Sequence, residues 1–172
     1  MNLNMGKTTG FIIWVMGIAQ IALGGWTVLP EGIRELKETA ANNHKPVLLT
    51  ISRGKDCSHC VAAWKNAVCD GVHQHEEADC VPHDDVYGDY PINGWAGKYG
   101  VQLAYAHYAA GDNSQAGNKL FNRYRRAVSM PAQFPIFVLL HVKDGADLTM
   151  EGAEALYEDQ VDVIGAFSFV AG

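Results

Sequence analysis

Residues 45–64 of this 172-residue chain are KPVLLTISRGKDCSHCVAAW, and they hold two different patterns side by side. The segment from Val47 to Ser52 is apolar and rich in β-branched residues, which predicts a buried strand. From Val61 onward the apolar side chains recur at helical spacing, which predicts a helix. Cys57 and Cys60 therefore lie where a strand ends and a helix begins.

This position gives the two cysteines a specific chemistry. Two thiols three positions apart can form a disulfide or share a metal ion. The first N–H groups of a helix are unpaired, and together with the positive end of the helix dipole they favour thiolate over thiol. We therefore predict a redox dithiol at Cys57 and Cys60. A c-type haem is excluded, because Val61 stands where the Cys-x-x-Cys-His pattern requires histidine.

The composition indicates one globular domain and argues against a polyanionic partner. With 172 residues, 48% of them hydrophobic, the chain can bury a proper core. The formal net charge is −6, and lysine and arginine are scattered along the sequence rather than clustered. A nucleic-acid-binding surface requires a concentration of positive charge. We therefore expect no nucleic-acid partner.

Residues 1–25 predict a signal peptide or a membrane anchor. Lys7 precedes an apolar run over residues 11–23, and small residues follow, as in a secretory signal. The run is shorter than the roughly 20 residues of a membrane span. Residues 8–29 approach that length, so an uncleaved anchor remains an alternative, as does a buried element of the domain. Export implies a periplasmic or otherwise extracytoplasmic location, where disulfides persist.

Local signals predict the elements around the dithiol. Pro30, at a first helical position, and the acidic residue after it predict a helix over residues 31–43. Residues 101–109 alternate as in a strand, and residues 120–128 are helical in pattern. Residues 154–169 have spacing compatible with a helix, although residues 161–164 are equally compatible with a strand. Residues 87–100 are rich in aromatics and glycine, which predicts an ordered aromatic loop whose rings fill a small core or, alternatively, cover the dithiol or contact a partner.

Taken together, these segments resemble the thioredoxin-like superfamily, in particular its exported members. The first part of the resemblance is Trp26-Thr27, a helix, the segment 45–49 and a Cys-x-x-Cys that opens a second helix. The second part is the segment 133–140, followed by Lys143-Asp144-Gly145, which is similar to the family's cis-proline strand and its hairpin turn. The resemblance covers residues 26–68 and 101–152 and leaves residues 69–100 as an insertion.

The resemblance implies both a fold and an activity. The fold would be α/β, with a central mixed sheet flanked by helices over residues 26–172 and an insertion after the active-site helix. Cys57 would be the nucleophile and Cys60 the resolving thiol, with Pro135 in cis beside them; an ordinary trans proline at the start of a strand is the alternative for Pro135. The protein would be a thiol–disulfide oxidoreductase acting on protein thiols and disulfides, with a redox partner protein and no organic cofactor. His59 would stabilise the thiolate; a solvated helix residue is the alternative.

The sequence departs from the family pattern at three places near the dithiol. Asp56 replaces the usual aromatic residue before the first cysteine, and its negative charge opposes thiolate formation. Ser58 stands where proline is common, and Thr50 and Ile51 occupy the part of the strand where thioredoxins carry a buried acid. Whether the protein is an oxidase, a reductase or an isomerase therefore stays open.

Residues 69–85 contain two cysteines, three histidines and six acidic residues, and they predict a disulfide, a metal site or a solvated loop with neither. On one straight helix Cys60 and Cys69 would be about 13.5 Å apart, whereas a disulfide requires less than about 7 Å between Cα atoms. A Cys69–Cys80 disulfide is therefore the economical pairing. The alternative is a zinc or copper site whose ligands would be Cys69, His73, His75, Cys80 and His83.

Two further functions compete with the oxidoreductase. One is a non-catalytic thioredoxin-like binding module, with or without a bound zinc or copper ion. The other is a metal-delivery protein that uses Cys57 and Cys60 as ligands. An enzyme requires Cys57 to be accessible and acidic, whereas a binding module does not, so thiol reactivity separates the hypotheses.

Overall fold

The structure is a computed structural model that describes residues 26–54, 57–63, 91–128 and 133–168. Within these ranges a five-stranded sheet has the order β1-β3-β2-β4-β5. The strands are β1 (Trp26–Val28), β2 (Val47–Ser52), β3 (Gln102–His107), β4 (Ile136–Val142) and β5 (Val161–Ser168). Strands β1 and β2 run parallel to β3, whereas β4 runs antiparallel to β2 and to β5. The prediction of an α/β fold with a mixed sheet is confirmed.

Helices connect and cover these strands. The helices in the described ranges are α1 (Ile33–Asn43), α2 (Ser58–Ala63), α3 (Pro91–Tyr99), α4 (Ala116–Tyr124) and a 3₁₀ helix at Ala153–Leu156. None of them is long and apolar enough to cross a membrane. The predicted signal peptide or anchor at residues 1–25 lies outside the described ranges.

Strand β2 is buried along its whole length because both faces of the sheet are covered. Its odd-numbered residues Val47, Leu49 and Ile51 belong to the larger core, together with apolar residues of α1, α4 and the 3₁₀ helix. Leu48 points to the opposite face and joins a smaller core that includes Ala96 of α3. A strand covered on both faces is a continuous apolar run rather than an alternating one, as the sequence of β2 suggested.

The predicted start of the first helix is wrong by a few residues. Pro30 is not a first helical residue: it follows a cis peptide bond and lies in a turn over residues 29–32. The amide of Leu29 donates a hydrogen bond of 2.8 Å to the carbonyl of Tyr105, so the chain is still attached to the sheet at that point. It must leave the edge of the sheet before it can form α1, which begins at Ile33.

The predicted aromatic loop is, over its described part, helix α3. Pro91 is the first residue of the helix, a position where proline is favoured because its missing N–H has no helical partner. Ala96 is the buried residue that packs on the sheet, while Trp95 and Tyr99 are 43% and 59% exposed. Their rings contact each other, with 5.7 Å between centroids, so they do not fill a small core as predicted.

The C-terminal part resolves into a strand. Strand β5 pairs with β4 along its length, with an irregularity in register at Leu139 and Leu140. The 3₁₀ helix before it is held to α4, where the hydroxyl of Tyr124 donates a hydrogen bond to the carbonyl of Leu156. Local pattern left helix and strand equally compatible here, and pairing with β4 determines the outcome.

Candidate redox site

Cys57 and Cys60 are joined as a disulfide at the beginning of α2. Their Cα atoms are 5.2 Å apart, within the range that disulfides require. The two cysteines are not equally accessible: Cys57 is half-buried, whereas Cys60 is only 1% exposed. An external reactant therefore reaches the sulfur of Cys57 more easily than that of Cys60.

Backbone amides at the start of α2 surround Cys57. The N–H of Val61 donates to the Cys57 carbonyl at 3.0 Å, which makes Cys57 the residue that caps the helix. The N–H of Cys60 donates to the Sγ atom of Cys57 at 3.2 Å. A hydrogen bond of this kind favours the charged form of its acceptor, so in the reduced protein it favours the Cys57 thiolate.

A turn at residues 52–54, here called the dithiol turn, follows the end of β2. The N–H of Gly54 donates to the hydroxyl of Ser52 at 3.0 Å, and the carbonyl of Gly54 accepts from the N–H of Cys57 at 3.3 Å. Gly54 has a φ of +66°, a conformation that side chains with a Cβ rarely adopt. The turn thus needs glycine, and it fixes the point from which Cys57 begins the helix.

Two residues of β3 lie against this turn, and the sequence did not indicate them. In the parallel register Tyr105 is opposite Thr50 and His107 is opposite Ser52. The Tyr105 hydroxyl is 3.4 Å from Nδ1 of His107. A Cβ atom on Gly54 would lie 3.7 Å from the His107 ring and 3.8 Å from the Tyr105 hydroxyl. The only sequence signal was their spacing of two, which places both on one face of a strand.

Pro135 lies at the same edge of the sheet as the dithiol turn. The Phe134–Pro135 peptide bond is cis, the isomer that the resemblance implies. Ile136 pairs with Ile51, so Pro135 stands beside the end of β2 from which the chain leads to Cys57. The ring of Phe134 stacks on Phe121 with 4.3 Å between centroids.

His59 and Thr50 provide less evidence about the chemistry of the dithiol. His59 is exposed and forms no hydrogen bond or ion pair with any described residue, so its role in stabilising the thiolate stays a prediction. Thr50 is fully buried where a thioredoxin would carry an acid, and its hydroxyl has no hydrogen-bond partner among the described residues. Strand β2 thus supplies no carboxylate beneath the dithiol.

The predicted disulfide between Cys69 and Cys80 lies outside the described residues. So does the alternative metal site, which adds His73, His75 and His83 to those two cysteines. In the part of the chain that the structure describes, no group of three or more His, Cys, Asp or Glu residues is placed to hold a metal ion. Both predictions for residues 69–85 therefore stay predictions.

Comparison with known proteins adds no relative: no protein-family model, no curated protein and no solved structure matches this chain. Its class therefore rests on its own geometry. That geometry defines an α/β protein with a Cys-x-x-Cys disulfide at the end of a buried strand.

Proposed function

We propose that this protein is a thioredoxin-like thiol–disulfide oxidoreductase that acts outside the cytoplasm. The observation that carries the proposal is the different solvent exposure of the two disulfide-bonded cysteines at the start of α2. Cys57 is half-buried, whereas Cys60, one turn further on, is buried. The mixed sheet and the cis bond before Pro135 are compatible with a thioredoxin-like fold. Together these features support Cys57 as the nucleophile and Cys60 as the resolving thiol.

The reaction follows from the accessibility of the two sulfur atoms. In the reduced protein the Cys57 thiolate attacks one sulfur of a substrate disulfide, and the other substrate sulfur leaves as a thiolate and takes up a proton. Cys60, after losing its proton, then attacks Cys57 and releases the second substrate thiol. Two electrons pass from the protein to the substrate, and the Cys57–Cys60 disulfide forms. In the opposite direction the same steps oxidise a substrate dithiol.

The hydrogen bond from the Cys60 amide to Cys57 affects the reduction potential of the Cys57–Cys60 pair. An interaction that stabilises the Cys57 thiolate stabilises the reduced state of the pair, and this makes the disulfide a stronger oxidant. The absence of a carboxylate from β2 means that strand offers no base for the proton of Cys60. We therefore expect attack by Cys57 to be fast compared with resolution by Cys60.

The location and the partners belong to the same proposal. The apolar run at residues 11–23, preceded by Lys7 and followed by small residues, supports export. An extracytoplasmic oxidoreductase needs protein thiols or disulfides as substrates and a second redox protein to restore its own state. Cell fractionation combined with mass measurement of the exported chain tests the location: recovery only from the cytoplasm with residues 1–25 intact would contradict it.

The decisive experiment is the reduction potential of the Cys57–Cys60 pair, together with trapping of mixed disulfides. We expect the Cys60→Ser variant to accumulate mixed disulfides with protein substrates, because the resolving thiol is gone. The matched Cys57→Ser variant should accumulate none, because the thiol that remains is buried. Equal trapping by the two variants, or a Cys57 thiol that no alkylating reagent reaches, would overturn the proposal. Zinc or copper lost on substitution of Cys57 would favour metal delivery instead.

A further inference from the structure

A groove of about 790 Å³ lies at the end of the sheet where the dithiol is also found. It is bounded by the turn that follows β1, by the end of β3 and by the first residues of α4. Strands β1, β2 and β3 are parallel, so their carboxyl ends meet at one edge of the sheet. In open α/β sheets that edge is the usual place for a ligand.

The groove is continuous with the dithiol turn through a single residue. His107 is exposed and lines the groove, and its ring also lies against Gly54. The carbonyl of Gly54 in turn accepts the hydrogen bond from the Cys57 amide. The groove therefore begins at a residue that packs against the turn leading to Cys57.

The carboxylates that line the groove have no lysine or arginine beside them in the described lining. Glu31 and Glu35 line it, both are exposed, and neither forms an ion pair within the described ranges. The nearest arginine on α1, Arg34, is already paired with Glu151 at 3.6 Å. Two uncompensated carboxylates give the groove a negative potential, which attracts cationic groups.

We infer that this groove binds the polypeptide segment that flanks the reactive cysteine of the substrate, and that it selects a basic segment. A second cavity of about 400 Å³ shares Pro30, Glu31 and Glu35 with the groove and extends it along α1; the Arg34–Glu151 ion pair also lines it, and the charges of that pair offset each other. The acidic surface is therefore long enough for several residues rather than for one side chain. This inference rests on the proposed function, since it concerns the substrate of the same dithiol.

The test uses three disulfide probes on the reduced full-length protein. Two are peptides of equal length in which the residues that flank the disulfide are lysines in one and glutamates in the other. The third is hydroxyethyl disulfide, which is small and uncharged. An exposed ion pair contributes about 0.2–1 kcal/mol, which is about 1.5- to 5-fold in rate per carboxylate. We expect the basic peptide to react roughly 2- to 25-fold faster than the acidic one, and we expect this ratio to collapse in 1 M salt.

Variants on α1 separate the groove from the overall negative charge of the protein. Glu35→Gln should lower the basic-to-acidic rate ratio by about 1.5- to 5-fold, and Glu35→Lys should lower it further. The control is Glu38→Gln, which removes the same charge from an exposed residue of the same helix outside the groove, and it should leave the ratio unchanged.

Each outcome has a defined meaning. Equal rates with the two peptides, or a Glu38→Gln variant that matches Glu35→Gln, would refute the groove while reaction with hydroxyethyl disulfide upholds the oxidoreductase. Failure to react with any of the three disulfides would refute the proposed function, and the role of the groove with it.

Discussion

Replacing Asn118 by alanine tests how the end of β3 is held in place beside the candidate redox site. Asn118 is 1% exposed and lies in the first turn of α4. Its side chain pairs with both backbone groups of Ala109: the Ala109 N–H donates to Oδ1 at 2.9 Å, and Nδ2 donates to the Ala109 carbonyl at 2.7 Å. Asn118 thereby fastens the segment that follows His107 to α4.

The expected loss follows from these two hydrogen bonds. A buried polar group left without a partner costs about 1–3 kcal/mol. Ala109 is half-buried, so we use the lower part of that range for each group, which gives roughly 2–4 kcal/mol in total. Alanine has a higher helix propensity than asparagine by about 0.5–0.7 kcal/mol, which offsets part of the loss. The free energy of unfolding should therefore fall by roughly 1.5–3.5 kcal/mol.

The assay is urea unfolding of the full chain with the Cys57–Cys60 disulfide intact, followed by circular dichroism. For a chain of this length the same loss corresponds to a melting temperature lower by roughly 3–14 °C. The matched control is Asn122→Ala, since Asn122 lies one turn later in α4 and is exposed. This control has the same gain in helix propensity, and the Asn122 side chain forms no hydrogen bond with a residue that the structure describes, so the variant should be neutral or slightly stabilising.

The comparison of the two variants decides the argument. If Asn118→Ala and Asn122→Ala have the same stability, the two hydrogen bonds do not hold the end of β3. A lower m-value for Asn118→Ala with an unchanged urea midpoint of unfolding would also contradict the reasoning. Such a result indicates a change in the unfolded or native ensemble rather than a lost contact.

Three further predictions concern burial, backbone approach and the cysteines beyond the dithiol. Burial lowers the pKa of Lys37, so the folded protein releases its proton at a lower pH than the unfolded chain. As the pH increases from this lowered pKa towards 10.5, the free energy of unfolding of the natural protein should therefore rise relative to that of the Lys37→Met variant. Parallel curves of unfolding free energy against pH for the two proteins would contradict this prediction. Gly117→Ala should lower the melting temperature sharply, because the new Cβ would lie 1.9 Å from the carbonyl oxygen of the last residue of β3. The control is Gly97→Ala in α3, where a Cβ meets nothing within 4 Å, and this variant should raise the melting temperature. Replacing Cys69 and Cys80 by serine should cost the oxidised protein about 2–3 kcal/mol if they form the predicted disulfide; an unchanged melting temperature excludes that bond, and a lost zinc or copper ion favours the metal site.

The errors at the start of α1 and at α3 both involve contacts between residues that are far apart in the sequence. The start of α1 was placed too early because Pro30 and Glu31 carry good helix-start signals, while the hydrogen bond from Leu29 to Tyr105 is invisible to local pattern. The loop prediction for residues 87–100 rests on their aromatics and glycines, which do not prevent a helix over Pro91–Tyr99. Ala96 is buried against the opposite face of the sheet, a long-range contact that local pattern does not show.

The strand, the Cys-x-x-Cys pair and the helix that follows it can be predicted from the amino-acid sequence alone, because each of these depends on neighbouring residues and on one period of hydrophobicity. The tertiary structure is needed to show that β5 is a strand, because its conformation depends on pairing with β4 rather than on its own local pattern. Only the tertiary structure brought His107 against Gly54, because that contact depends on the register between β2 and β3. Register arises from the packing of the whole sheet, and about 50 residues separate the two strands along the chain.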